Sequence, residues 1–196
     1  MNTPNKLTII RIIMVPLFMV SLMLTKCDFS DVVKLVLFLV SALLFGGAAI
    51  TDFIDGKMAR KYNLVTNFGK FMDPLADKFM VIGALVAAAF VYDNLRLGLL
   101  ITIAITVFRE LAVSGVRLVA VNADNVVIAA AMPGKIKTFS QCIFMELVIL
   151  EPIIFKNVEF FVTYTPLTYI CMAVMVFFTI YSGVQYLKAY SKYITM

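Results

Sequence analysis

The sequence contains no histidine and only three cysteines in 196 residues. Without histidine, the usual general base at neutral pH is missing, so any acid–base chemistry falls to Asp, Glu, Lys or Tyr. Cys27, Cys142 and Cys171 lie far apart and show no CxxC spacing. These absences argue against a zinc site and against a disulfide framework.

Charge is also scarce, because Asp, Glu, Lys and Arg make up 15% of the chain, whereas 62% is hydrophobic. The mean hydropathy is +0.98. A soluble domain has about 25% charged residues, so an ordinary soluble fold is excluded. A helical bilayer crossing takes about 20 apolar residues, which leaves room for about six crossings and no separate soluble domain. We therefore predict a single transmembrane domain over residues 1–196 with an all-α integral membrane fold.

Six apolar runs are long enough to be transmembrane helices. They cover residues 7–25, 32–55, 72–92, 97–119, 138–154 and 163–186. A polar stretch over residues 60–69 separates the second run from the third. Pro16 and Pro166 are expected to bend the first and the sixth helix.

The net charge of +5 is best explained by membrane topology and by a site for anions. With six crossings, both termini lie on one side, and that side holds 13 of the 17 Lys and Arg residues. The positive-inside rule then places both termini in the cytoplasm. The sequence therefore predicts a multi-pass protein of the cytoplasmic membrane and no nucleic-acid partner.

Four aspartates stand close to the ends of the second and third runs. Asp52 and Asp55 are three residues apart, and Asp73 and Asp77 are four apart. Spacings of three and four place each pair on one helical face. The connection is short, so we expect helices 2 and 3 to be antiparallel neighbours whose four carboxylates converge at one depth.

Four carboxylates in one pocket repel each other unless cations neutralise them. Hard oxygen ligands without His or Cys favour Mg²⁺, Mn²⁺ or Ca²⁺, and a pair of divalent ions fits four carboxylates. An alternative is that the aspartates only pair with lysines and arginines at the membrane interface. Four ionisable acids exceed what anchoring needs, which favours the metal interpretation.

The segment from Asp52 to Asp77 resembles the complete signature of the CDP-alcohol phosphotransferases. Its eight fixed positions are Asp52, Asp55, Gly56, Ala59, Arg60, Gly69, Asp73 and Asp77. The resemblance implies a six-helix membrane enzyme that binds two Mg²⁺ or Mn²⁺ ions and transfers a phosphatidyl group from CDP-diacylglycerol to an alcohol, releasing CMP. It also implies that all four aspartates hold the metals and that Asp77 is the general base on the acceptor hydroxyl. Relatives in the family are dimers, so a homodimer is expected.

The same resemblance assigns five residues to the cytidine and pyrophosphate of CDP-diacylglycerol. They are Asn5, Thr8, Gly56, Arg60 and Thr66. At Gly56 a side chain would block a nucleotide lying beside the helix. Asn5 and Thr8 have an alternative role as helix N-caps, and Arg60 has one as a positive-inside anchor.

Three weaker features resemble the branch of this family that uses glycerol 3-phosphate as acceptor. They are Pro4-Asn5-Lys6-Leu7-Thr8 with Arg11 and Pro16, Arg109-Glu110 with Ser114 and Arg117, and Gly134-Lys135-Ile136-Lys137-Thr138. Inositol phosphate or serine as acceptor remains the alternative within the family.

A basic cluster is the predicted site for the acceptor's phosphate. It comprises Arg109, Arg117, Lys135 and Lys137. Arg109 and Arg117 are eight residues apart and share a helical face, and arginine binds phosphate oxygens in bidentate fashion. Lipid-headgroup anchoring, with Arg109 paired to Glu110 or Glu146, is the alternative.

Two other classes of function remain open. A cation-coupled transporter would also hold carboxylates in a membrane, although such acids belong near mid-membrane and no inverted repeat is visible. A structural subunit would use the charges only for topology and assembly. Asp73→Asn separates the classes, since an enzyme loses turnover, a carrier loses uptake and a scaffold loses neither.

Overall fold

A computed structural model describes residues 2–62, 66–124 and 132–191. The regular secondary structure within these ranges is helical. The helices are α1 (Thr3–Leu24), α2 (Asp31–Lys61), α3 (Asn67–Val91), α4 (Arg96–Asp124), α5 (Met132–Ile154), α6 (Glu159–Tyr164) and α7 (Pro166–Ala189). The predicted break over residues 60–69 is confirmed, because α2 ends at Lys61 and α3 begins at Asn67.

Five segments of the described chain are long and apolar enough to cross a membrane, which makes this a multi-pass membrane protein. They are Thr3–Leu24, Asp31–Met58, Asn67–Val91, Arg96–Ala120 and Glu159–Ala189. The predicted crossing at residues 138–154 lies within α5, which is not among the five. Two lysines and two glutamates interrupt the apolar character of α5. A sixth crossing therefore stays a prediction.

The first helix organises the bundle around the predicted aspartates. α1 packs along both α2 and α3, with Phe18 and Leu22 buried against Phe45 of α2 and Leu85 of α3 in one apolar core. The sequence predicts that α2 and α3 are antiparallel neighbours, but among the described residues they are not one of the extensively packed helix pairs. Like-charged carboxylates on facing helices repel, and α1 instead supplies polar partners to both helices.

At Pro166 the predicted bend takes the form of a break between two helices, because Pro166 begins α7. It occupies the first turn of α7, where its missing N–H has no intrahelical partner to lose. Thr165, just before it, has a φ of 39°, which turns the chain sharply between α6 and α7. Pro16, by contrast, lies inside the continuous helix α1.

Glu151 caps the first turn of α7, a function that its sequence context does not reveal. Its carboxylate is buried and accepts hydrogen bonds from the backbone N–H groups of Leu167 at 3.0 Å and Thr168 at 2.7 Å. The Thr168 hydroxyl donates a third bond at 2.6 Å. A negative charge here also interacts favourably with the helix dipole. Glu151 therefore fixes the start of α7 against α5.

We expect Glu151→Ala to lower the free energy of unfolding by about 2 kcal/mol, since it removes a charged cap from buried N–H groups. For a chain of this size, that loss lowers the melting temperature by about 4–8 °C. Circular dichroism of the detergent-solubilised protein measures the shift. Glu159→Ala, which removes an exposed carboxylate in the neighbouring helix, is the matched control and should melt like the wild type. Equal melting of the two variants would contradict the capping role.

Candidate active site

The structure brings the four predicted aspartates together near the junction of α2 and α3. Asp55 is almost fully buried and interacts electrostatically with both Asp52 and Asp73. Asp77 interacts in the same way with Asp52. The carboxylates of two helices therefore form one group, the aspartate cluster, although α2 and α3 are not extensively packed in the described residues.

Arg11 of α1 lies inside the aspartate cluster. Its side chain is fully buried, and its guanidinium forms ion pairs with Asp52, at 2.6 Å, and with Asp55. In the sequence, Arg11 stands out only as part of a weak family feature. An arginine in an otherwise apolar helix is costly in lipid, and that cost is the signal that points to a buried partner.

Asn5 and Thr8 face α3 from within α1. The Thr8 hydroxyl donates to Asp73 at 2.7 Å, and the Thr66 hydroxyl donates to the Asn5 side chain at 3.0 Å. The N-cap of α1 is Asn2, so the capping alternative for Asn5 and Thr8 is wrong. Thr66 is itself the N-cap of α3 and accepts from the backbone N–H of Gly69 at 3.0 Å.

Gly69 has a steric reason to lack a side chain. A Cβ there would lie 3.2 Å from the Asn5 amide oxygen, 3.3 Å from the Thr66 hydroxyl and 3.6 Å from an Asp73 oxygen. Gly56, another predicted nucleotide contact, follows Asp55 directly on α2. The side chain of Arg60 lies outside the described part of the structure. Four of the five predicted nucleotide contacts therefore border the aspartate cluster.

Two of the four residues of the predicted basic cluster share one carboxylate partner. Lys137, which is 4% exposed, donates to Glu110 at 2.6 Å, and Arg109 donates to the same carboxylate oxygen at 2.8 Å. Arg117 and Lys135 are exposed. The Arg109–Glu110 pairing that the anchoring alternative invokes is present. Lys137 shares that carboxylate and is buried, which favours an internal site over a headgroup anchor.

This group of side chains also contacts α7, and Glu146 is not part of it. Arg109 also donates to the Ser182 hydroxyl of α7 at 3.2 Å. Glu146 faces α2 instead, since a Cβ on Gly46 would lie 2.8 Å from a Glu146 carboxylate oxygen. Arg109, Glu110 and Lys137 are called the basic triad below.

The aspartate cluster and the basic triad adjoin each other through Asp77. Lys137 and Glu110 both interact electrostatically with Asp77. One carboxylate oxygen of Asp77 is buried and has no hydrogen-bond partner among the described residues. A buried carboxylate oxygen without a partner is rare, because its desolvation is not compensated. Asp77 therefore has one oxygen free for a cation or a hydroxyl donor.

No group of three or more Asp, Glu or Cys side chains within residues 2–62, 66–124 and 132–191 is already gathered as a metal centre. The contacts of the cluster give the reason, since Arg11 holds Asp52 and Asp55 while Thr8 holds Asp73. The donor set nevertheless fits Mg²⁺ or Mn²⁺, because it consists of hard carboxylate oxygens and one of them lacks a partner. The buried Arg11 cation also shows that this pocket attracts positive charge.

Comparison with known proteins gives a consistent result along the chain. Residues 1–181 match the sequence model of the family described as CDP-alcohol phosphatidyltransferase. A CDP-diacylglycerol–glycerol-3-phosphate 3-phosphatidyltransferase of Bacillus subtilis is 43% identical over 190 residues, which cover 94% of this chain and 93% of that protein.

Two further relatives agree with this match. An enzyme of the same name from Rickettsia felis is 37% identical over 201 residues, covering 98% of this chain and 97% of that protein. A probable phosphatidylglycerophosphate synthase of Mycobacterium tuberculosis is 36% identical over 149 residues, covering 76% of this chain and 66% of that protein.

Proposed function

Because the chain belongs to the CDP-alcohol phosphatidyltransferase family, we propose that it transfers the phosphatidyl group of CDP-diacylglycerol to glycerol 3-phosphate. The products are phosphatidylglycerophosphate and CMP, which places the protein in phospholipid biosynthesis. The observation that carries this proposal is the electrostatic interaction of Asp77 with the buried Lys137. A carboxylate base beside a buried cation suits an acceptor that carries both a hydroxyl and a phosphate.

Two Mg²⁺ or Mn²⁺ ions, held by Asp52, Asp55, Asp73 and Asp77, are the proposed cofactors. When bound, they neutralise the pyrophosphate and the leaving CMP phosphate, which is the main requirement of phosphoryl-type transfer. Arg11 neutralises part of the charge of Asp52 and Asp55 through its two ion pairs.

Asp77 is the proposed general base. Its partnerless oxygen accepts the proton of the acceptor hydroxyl as that hydroxyl attacks the β-phosphorus of CDP-diacylglycerol. The bond from phosphorus to the CMP oxygen then breaks and CMP leaves. Asn5, Thr8, Gly56, Arg60 and Thr66 are the proposed contacts to the cytidine and pyrophosphate.

The basic triad, with Arg117 and Lys135, is the proposed site for the acceptor's phosphate. Glu110 keeps the Arg109 and Lys137 side chains in place before the acceptor arrives. A phosphate then gains charge-assisted hydrogen bonds from donors that are already positioned, which limits the entropy lost on binding. Arg117 and Lys135 are exposed, so their proposed part is to attract the acceptor's phosphate from the aqueous side.

The finer topology follows the positive-inside count. We propose that α5 completes six crossings, that both termini face the cytoplasm, and that the site opens to the cytoplasm, where glycerol 3-phosphate is available. The cytoplasmic membrane is the proposed location, and a homodimer is the proposed assembly.

The acceptor is tested by CMP release from purified, detergent-solubilised protein with CDP-diacylglycerol and Mg²⁺. Glycerol 3-phosphate, inositol phosphate, serine and no acceptor are compared in parallel. We expect release only with glycerol 3-phosphate. Release with a different alcohol would retain the family and overturn the acceptor, and no release with any of them would overturn the enzymatic proposal.

A further inference from the structure

Two buried polar side chains, Thr106 of α4 and Gln141 of α5, lie outside the site described so far. Each is 1% exposed. The Thr106 hydroxyl and both polar atoms of the Gln141 amide have no hydrogen-bond partner among the described residues. Buried amides and hydroxyls are almost always hydrogen-bonded, since leaving them unpaired is costly. Their hydrogen-bonding groups are therefore available to a polar ligand.

The helix directions place these two residues at one level. Near its start, α7 contacts α5 through Thr168 and Glu151, and near its end it contacts α4 through Ser182 and Arg109. A Cβ on Gly98 of α4 would also lie 3.0 Å from Met172 of α7. α7 therefore runs parallel to α4 and antiparallel to α5, so α4 and α5 are antiparallel to each other.

The Glu110–Lys137 pair fixes the register between α4 and α5, with its 2.6 Å contact. Thr106 precedes Glu110 by four residues, and Gln141 follows Lys137 by four. Because the helices are antiparallel, both steps lead in the same direction, about 6 Å deeper into the bundle. Thr106 therefore lies on the same face of α4 as Glu110, and Gln141 on the same face of α5 as Lys137. Both residues belong to one polar layer, one helical turn below the basic triad.

This layer has no close backbone packing across it. In the described chain, α4 and α5 are not among the extensively packed helix pairs, and long side chains bridge them. Beyond Gln141, the next buried residues on α5 are the apolar Phe144 and Met145. Gln141 thus marks the floor of the polar region, with apolar core beneath it.

We propose that Gln141, together with Thr106, binds the neutral hydroxyl of the acceptor that lies between its phosphate and its attacking hydroxyl, and so determines acceptor specificity. The assignment rests on the proposed function. In that function Lys137 binds the phosphate and Asp77 the attacking hydroxyl, so one polar group of glycerol 3-phosphate, the C2 hydroxyl, still needs a partner. An amide and an alcohol each donate and accept, which matches an uncharged hydroxyl.

The test compares glycerol 3-phosphate with 1,3-propanediol monophosphate, which keeps the phosphate and the terminal hydroxyl but lacks the middle one. We expect the wild type to prefer glycerol 3-phosphate by about 10-fold or more in kcat/KM, since a site built for a hydroxyl rejects the analogue without it. Gln141→Leu should bring the two acceptors to within about 2-fold, chiefly by losing activity with glycerol 3-phosphate. The KM for CDP-diacylglycerol should not change.

Gln185→Leu is the matched control, because Gln185 is exposed on α7 and bonds only Tyr181 in the described contacts. It should keep the wild-type preference. If Gln141→Leu does not fold, the two acceptors are compared in Gln141→Met and Thr106→Val instead. The assignment is overturned if the folded variants keep the wild-type ratio of kcat/KM for the two acceptors.

The failure of the proposed function looks different from the failure of this inference. A wild type that releases CMP with neither acceptor overturns the proposed function, and the Gln141 assignment with it. A wild type that is active but uses both acceptors equally overturns the Gln141 assignment alone.

Discussion

Asp77→Asn is expected to reduce phosphatidyl transfer by about 1,000-fold while the protein keeps its fold, in line with the loss of a general base. Asparagine has the same shape as aspartate but cannot accept the proton of the attacking hydroxyl. The affected oxygen has no hydrogen-bond partner in the described structure, so the substitution breaks no bond there. It also removes one negative charge from a cluster of like charges, so the melting temperature should stay the same or rise.

The measurement is initial-rate CMP release at saturating CDP-diacylglycerol and glycerol 3-phosphate, alongside a melting curve. Asp93→Asn is the matched control, because Asp93 is an exposed carboxylate that pairs with Lys26 and Arg96 at the other end of α3. The control should turn over normally. Retention of more than about a tenth of the wild-type rate by Asp77→Asn would remove Asp77 from the role of base.

Lys137→Met is expected to lower kcat/KM for glycerol 3-phosphate by about 100-fold, since it removes a buried charge-assisted donor to the phosphate. The effect should appear mainly as a higher KM for glycerol 3-phosphate, with the KM for CDP-diacylglycerol unchanged. Glu110 keeps its second partner, Arg109, at 2.8 Å, so the variant does not leave a buried carboxylate unpaired.

Steady-state kinetics with each substrate varied in turn measures this split. Lys188→Met, at an exposed position on α7, is the control for loss of a positive charge and should behave like the wild type. Lys137→Arg should recover part of the affinity, because it restores the charge but not the geometry. A Lys137→Met enzyme whose KM for glycerol 3-phosphate is unchanged contradicts the phosphate site.

The aspartate cluster could be predicted because its information is local in the sequence. Spacings of three and four set the faces of the two carboxylate pairs, and the eight-position signature is contained in one segment from Asp52 to Asp77. The apolar runs likewise located the helices closely, since a spanning helix is a continuous feature of the chain. The family likeness drawn from these residues is confirmed by the full-length comparisons.

What the sequence could not show depends on contacts between distant residues. Arg11 and Asp55 are separated by 44 positions in the sequence. No local sequence pattern predicts that α1 rather than α2 is the main packing partner of α3. Glu151 looks like an isolated acid until the chain turns at Thr165 and brings the start of α7 to it. In the sequence, Arg117, Lys135 and Lys137 look alike as basic residues at helix ends. The difference between them is burial, since Lys137 is buried and the other two are exposed, and burial depends on the tertiary fold.

The most direct test of the central claim is to identify the lipid product made from radiolabelled glycerol 3-phosphate, CDP-diacylglycerol and Mg²⁺. We predict that purified wild-type protein converts the label into chloroform-soluble phosphatidylglycerophosphate, and that EDTA or Asp77→Asn prevents this conversion. If the label stays in the aqueous phase while CMP is released, or if it enters the lipid undiminished in EDTA, the proposed transfer at the aspartate cluster is contradicted.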